Sequence, residues 1–346
     1  MPPVNERGAE RIHEASLALP ADPGVRIEHE AIRSALLEAG AKPGAGPADV
    51  RLPREMVRDY LALSPHRVTL TNQCGQESVL TATSEPLFWS CPGLYVWRGG
   101  RRRPFTSSDM ADMTRLLDRL ENVHAVFGFS LDDVAPARRD VMGLNIMAHN
   151  TAKHVRVLCF APAGADVLVE MRSVVGDHPW FSIGFTAHGP LRWTALALEV
   201  FRRTAGHGIP VSVNGEPMAG VSGPVTLAGA AAVGNAEILS GIVINQVLEP
   251  GRPCLYNLGL AAMRGDSNGD GRAGGTRDGQ DLAGLSPGGG IWTVALHVMP
   301  LKQATLLTAP SLPRQNIPAT PGLPADQEPG QPFLLQCASP DLNLHL

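Results

Sequence analysis

The segment from Gly208 to Gly251, GIPVSVNGEPMAGVSGPVTLAGAAAVGNAEILSGIVINQVLEPG, constrains this chain more than any other part of it. Ile209–Val213 is a β-branched run ending in Asn-Gly, and Pro224–Leu248 is a helical stretch that is apolar almost throughout. A helix hydrophobic all round has to be enclosed, by protein or by lipid. Its length is about that of a membrane span. Asn235, Glu237 and Asn245 lie within it, however, and would be costly in hydrocarbon, so the expectation is a helix buried in protein. Strand and helix are joined by a long polar loop through Glu216 and Met218, with Ser222 placed to cap the helix. In an α/β barrel, a loop leaving the carboxyl end of a strand holds the ligand. Asn214, Glu216, Met218 and Ser222 are therefore candidate pocket residues.

The surrounding sequence has the rhythm of βα units. Short apolar runs at Ala125–Phe129, Val155–Phe160, Phe181–Phe185, Ile209–Val213 and Pro253–Tyr256 alternate with helical patterns. Those patterns cover Asp109–Glu121, Ala137–His149, Ala165–Val175, Leu191–Ala205 and Pro224–Leu248. With a first strand near Phe88–Cys91 the series reaches six, and its natural closed form is the eight-stranded (β/α)8 TIM barrel. Residues 1–80 read as an N-terminal helical cap followed by a hairpin of Val68–Leu70 with Glu77–Thr81, and 81–263 as a partial barrel. In 264–346 the rhythm stops. That tail holds 12 glycines and 10 prolines, a composition associated with low complexity, and only Ile291–Pro300 and Phe333–Cys337 read as strands.

Composition excludes several classes of function. A chain of 346 residues with 44% hydrophobic content and a net charge of −4 is a soluble globular protein without the basic footprint of a nucleic-acid binder. The one basic run, RGGRRRP, reads as a solvated hairpin. Five scattered cysteines form no Cys-x-x-Cys, which points to no metal site and to a reducing, cytoplasmic setting. The charged N-terminus is not a secretory signal. There is no Gly-x-Gly-x-x-Gly, phosphate loop or Gly-x-Ser-x-Gly.

Asp266–Arg277 has the oxygen spacing of a calcium loop but Arg277 at the twelfth position, where a bidentate Glu is required. His149 and His154 in HNTAKH lack a third ligand nearby and read as a turn or polar cluster. His188, at a strand end, is better placed for catalysis. Phe88, Trp89, Tyr95 and Tyr256 fall near strand ends, where such rings can hold a quaternary ammonium group by cation–π attraction.

Four segments carry a family resemblance: IHEASLALPADPGVRIEHEAIRSALLEAGAKPG, RLPREMVRDYLALSPHRVTL, HNTAKH, and above all SGPVTLAGAAAVGNAEILSGIVINQVLEPGRPCLYNLG. Together, over about residues 10–263, they closely resemble the trimethylamine methyltransferase (MttB-type) family, which includes glycine betaine methyltransferase-like members. The resemblance implies a TIM-barrel enzyme that moves a methyl group from a methylated amine to the Co(I) corrinoid of a separate small protein. It implies no cofactor bound directly and no zinc, and the chain is expected to be a homo-oligomer with no nucleic-acid or membrane partner. On that reading Phe88, Trp89, Tyr95 and Tyr256 contact the ammonium, while His188, Asn214 and Ser222 hold the other end of the substrate. A non-catalytic quaternary-amine-binding protein or degenerate paralogue is the alternative.

After YNLGLA the chain departs from the family's pattern. A frameshift in a GC-rich gene is the leading explanation, with divergence next; termination at the pyrrolysine codon UAG accounts poorly for the mismatch. A barrel lacking two strands would expose sheet edges, so the chain as written is expected to lack normal activity.

Overall fold

The computed structural model describes residues 6–81, 84–85, 87–98 and 101–264, with short pieces at 272–273, 292–295, 334–336 and 344–345. The chain begins with α1 (Glu6–Ala21), β1 (Val25–Ile27), α2 (Glu30–Glu38), β2 (Lys42–Pro43), β3 (Asp49–Arg51) and α3 (Arg54–Ala62). Apolar residues one turn apart give these helices their inner faces: Ile32 and Leu36 on α2, and Met56, Val57 and Leu61 on α3, are all buried. Next, β4 (Val68–Thr71) and β5 (Glu77–Leu80) pair antiparallel as the sequence suggested. The arginine run forms the exposed arm of a second hairpin, β6 (Tyr95–Arg98) with β7 (Arg101–Pro104).

The alternating region follows. It comprises α4 (Ser107–Asp118), β8 (Ala125–Phe127), α5 (Arg139–Ala148), β9 (His154–Val157), α6 (Pro162–Arg172), β10 (Phe181–Thr186), β11 (Arg192–Trp193), α7 (Ala195–Arg203), β12 (Val211–Gly215), β13 (Met218–Ala219), α8 (Leu227–Leu248) and β14 (Cys254–Arg264). Strands β8, β9, β10, β12 and β14 lie side by side in that order, all parallel. Trp89 bridges to Ala125 in the same sense, which completes the expected series of six. This is an α/β fold whose parallel sheet runs as a half-barrel, each strand beside its successor in the chain. On the far side of β14, the short β13 pairs parallel with Ala261 and Ala262, and Trp292–Ala295 runs antiparallel along Asn257–Leu260, covering an edge expected to be bare. The calcium-type loop and most of 264–346 lie outside the described residues.

The buried-helix reading of α8 holds. By length and composition it could cross a membrane, yet 83% of its apolar window is enclosed by the rest of the chain. Helices α1, α2 and α3 pack on it from one side, and β12 and β14 from the other. One continuous core joins Leu17, Leu36 and Val57 of the N-terminal segment to Val155, Val213 and Ile242 of the half-barrel.

Two local expectations are corrected. Ser222 is not the cap of α8: the helix starts at Leu227, with Thr226 as N-cap accepting from the Gly229 amide at 3.2 Å. The Ser222 hydroxyl instead accepts from the Met218 amide at 2.9 Å and holds the loop closed. Thr226→Ala is accordingly expected to cost about 1 kcal/mol of stability in a urea titration. The helix expected over Leu191–Ala205 shortens to α7, because Arg192 and Trp193 are drawn into strand β11 against Arg26 and Ile27 of β1.

Candidate functional site at the strand carboxyl ends

Consecutive strand residues face opposite sides of a sheet. On β9, Val155 and Val157 therefore meet the helices while His154 and Arg156 face the interior of the half-barrel. Arg156 is 3% exposed and lies at the centre of the site. Its guanidinium carbon sits 4.2 Å from the ring centre of Phe127 and 5.7 Å from that of Trp89. Its Nη2 donates to Asn214 Oδ1 at 3.2 Å. The same oxygen accepts from Ser212 Oγ at 2.7 Å and Asn257 Nδ2 at 3.0 Å, and Asn214 Nδ2 donates to Thr186 Oγ1 at 3.0 Å. A Cβ at Gly184 of β10 would fall on the Arg156 guanidinium, so any side chain there would have to displace it. The network is incomplete: Arg156 Nε and Asn257 Oδ1 are buried without a partner among the described residues. Burial draws the guanidinium down to about 10, with the nearby Glu216 opposing, so it stays protonated at neutral pH.

Two carboxyls follow, Glu216 coupled to this cation and Glu237 coupled to Glu216. Glu216, one residue past β12, keeps surface accessible to solvent while protein crowds around it. Loss of bulk water raises its carboxyl above the usual range, and Arg156 pulls the other way. Glu237 of α8 is fully buried; its Oε1 accepts from the Leu191 amide at 3.0 Å and its Oε2 has no partner among the described residues. Burial pushes Glu237 up to about 7; the Leu191 amide opposes the shift and the charge of Glu216 adds to it.

The opposite end of the half-barrel is closed. The β4–β5 hairpin packs Val68, Leu70 and Leu80 against Leu255 at the start of β14, with Leu87 and Trp89 alongside. His154 fastens it. A carbonyl can only accept, so His154 Nδ1–H donates to Thr71 O at 2.8 Å, and Nε2 accepts from the Ser182 hydroxyl at 3.0 Å. Burial holds this imidazole near 4, hence neutral. Gln73 adds a bond to Ala148 O at 3.2 Å. His154 and Lys153, whose Nζ donates to Leu117 O and Leu120 O, are thus structural, as the polar-cluster reading of HNTAKH supposed.

Of the residues singled out from the sequence, Trp89, Asn214 and Glu216 come together around Arg156. Tyr256 faces the helix layer, its hydroxyl donating to Asn235 Oδ1 at 3.1 Å. Met218 and Ser222 share the loop before α8. His188 is exposed in the turn from β10 to β11, where its amide donates to Arg192 O at 2.8 Å. Phe88 is 54% exposed and sits beside His124, just ahead of β8 and so at the amino ends of the strands. Tyr95 lies in the β6–β7 hairpin under the Arg102 guanidinium, 3.9 Å from its ring centre. The rings of Trp89 and Tyr95 are thus engaged by the chain's own arginines. Sequence reasoning missed Arg156, Asn257 and Thr186; the signal was the two-residue spacing of His154 and Arg156 in an otherwise apolar strand. Among the described residues no group of three or more His, Cys, Asp or Glu could hold a metal ion.

A parallel half-barrel, closed at its amino end and bearing one guanidinium and two carboxyls toward its carboxyl end, has the layout of α/β-barrel enzymes. The family described as trimethylamine methyltransferase (MTTB) matches residues 1–270, and the chain belongs to it. Trimethylamine methyltransferase MttB of Methanosarcina barkeri (strain Fusaro / DSM 804) is 31% identical over 264 residues, 71% of this chain and 53% of the relative. Glycine betaine methyltransferase of Desulfitobacterium hafniense (strain Y51) is 25% identical over 283 residues, 76% of this chain and 57% of the relative. The chain thus spans about half the length of the curated relatives it matches. A solved structure described as the hydroxylamine MtmB complex aligns with 75% of this chain and 56% of its own, with a TM-score of 0.47 and 12% identity.

Proposed function

We propose, against the inactivity expected from bare sheet edges and with the β14 edge covered by Trp292–Ala295, that the chain takes a methylated amine, such as trimethylamine or glycine betaine, into the half-barrel and presents a methyl group to a corrinoid on a separate small protein. The architecture in this reading is a (β/α)8-type barrel preceded by a helical segment over residues 1–80. Family membership supports the reaction class. The observation that carries the site is Glu216, an exposed carboxyl just past the end of β12 whose charge couples to the buried Arg156.

The corrinoid, when bound, supplies a Co(I) nucleophile that accepts the methyl group while the amine leaves with the bonding electron pair. The substrate's positive charge is lost along this path. A carboxylate such as Glu216 therefore favours the bound cation over the transition state, and its contribution lies in capture. Rate has to come from orientation and from exclusion of water, to which the rigid Asn214 network and the closed amino end contribute.

The test is methyl transfer from trimethylamine and from glycine betaine to a cognate corrinoid protein in the Co(I) state. Glu216→Gln is expected to raise KM about tenfold or more with a smaller change in kcat, the pattern for loss of ground-state binding. A folded protein that transfers from neither amine would overturn the proposal.

A further inference from the structure

We propose that a second pocket, between α5 and the turn that leaves β9, binds a small methylated organic cation. The cavity measures about 340 Å³, and its wall includes Phe129, Met147, Val157 and Phe160, with Gly143 and the acid Asp140. It is separate from the interior site. Val157 follows Arg156 on β9 and so points the other way, which places the cavity between the strands and the helices.

Two features show a built site. The first is Gly143, which is buried in the middle of α5, yet a Cβ on it would meet no other heavy atom within 4 Å. Glycine inside a helix is destabilising relative to alanine, and here it leaves open space. The second is Asp140, 5% exposed in a wall whose other polar side chains are Ser130 and Arg139. Its Oδ2 accepts from the amides of Phe160 and Ala161, both at 2.6 Å, which fixes the turn over the cavity. Arg139 on the same wall is held by the Val134 carbonyl through its Nε at 2.8 Å and opposes the rise of Asp140 through its charge.

These features define the ligand's chemistry. Burial outweighs the two amides and the charge of Arg139 and pushes Asp140 up to about 6, so its charge is compensated only in part. A cation in the cavity would relieve it. A primary ammonium must have its N–H groups accepted, for which the side chains of the wall offer only Asp140 and Ser130, whereas a methylated ammonium needs no acceptor and fills apolar space with its methyl groups. The rings of Phe129 and Phe160 suit the same ligand.

The site can be read through the Met147 methyl group in full-length protein labelled with [methyl-13C]methionine, its signal assigned with Met147→Leu. Tetramethylammonium is expected to shift that signal saturably, and neutral tert-butanol to bind at least tenfold more weakly. Asp140→Asn, which keeps an acceptor for the two amides, should weaken tetramethylammonium binding at least tenfold. Gly143→Leu should fill the cavity and abolish the shift with Asp140 still in place. Absence of a saturable shift, equal binding of tert-butanol, undiminished binding in Asp140→Asn, or a shift that survives in Gly143→Leu would each overturn the proposal.

Discussion

Asn214→Leu is expected to destabilise the protein by about 3–5 kcal/mol, far more than the similar volume of the two side chains suggests. Leucine removes the oxygen that accepts from Arg156, Ser212 and Asn257 together. Arg156 already has an unpartnered Nε, so the variant leaves a buried cation with no hydrogen-bond acceptor among the described residues. Adding Arg156→Met to Asn214→Leu should restore much of the loss, because the charge that needed the acceptor is gone. Denaturant midpoints of the two variants check both statements. A cost below about 1 kcal/mol for Asn214→Leu alone would mean that the network does not hold Arg156.

Glu237→Gln is expected to stabilise the protein at pH 8 and not at pH 4. The folded carboxyl titrates near 7 against an ordinary value of 4.5, so folding favours its protonated form. The wild type is therefore most stable below 4.5 on this account and loses stability as pH rises toward 7, by about 3 kcal/mol in all. Glutamine cannot ionise and escapes that loss. Asp140 and Glu216, also raised by burial, give a residual slope of the same sign in both proteins. The difference between their stability curves, measured by urea unfolding from pH 4 to 8, isolates Glu237. A flat difference would show that the carboxyl finds a compensating partner when ionised.

The sheet was readable because its strands begin as short apolar runs set off by turn formers: β8, β9, β10 and β12 lie within a few residues of their expected places, and β14 starts where expected but runs on to Arg264. What failed locally failed for non-local reasons. Arg192 and Trp193 sit in a sequence with helical spacing, and only pairing with β1, far earlier in the chain, makes them a strand. Ser222 and Thr226 are both competent caps; the choice falls to Thr226 because the Met218 amide engages the Ser222 hydroxyl. The site was half legible. Asn214, Glu216 and Trp89 could be named from their positions at strand ends or in the polar loop. Arg156 could not, since an arginine inside VRVLCF looks like an outward polar residue until Trp89, Phe127 and Asn214 are seen to meet it from three other strands.

The hairpin fastened by His154 and Gln73 turns the half-barrel into a vessel with a bottom. Under the proposed transfer, a solute that enters past Glu216 meets this hairpin at the far end among the described residues, and the demethylated amine would leave through the mouth by which it came. The protein accepting the methyl group would work at that same mouth. Turnover would then follow a fixed queue, with amine loading before the acceptor docks and spent amine escaping only after the acceptor departs.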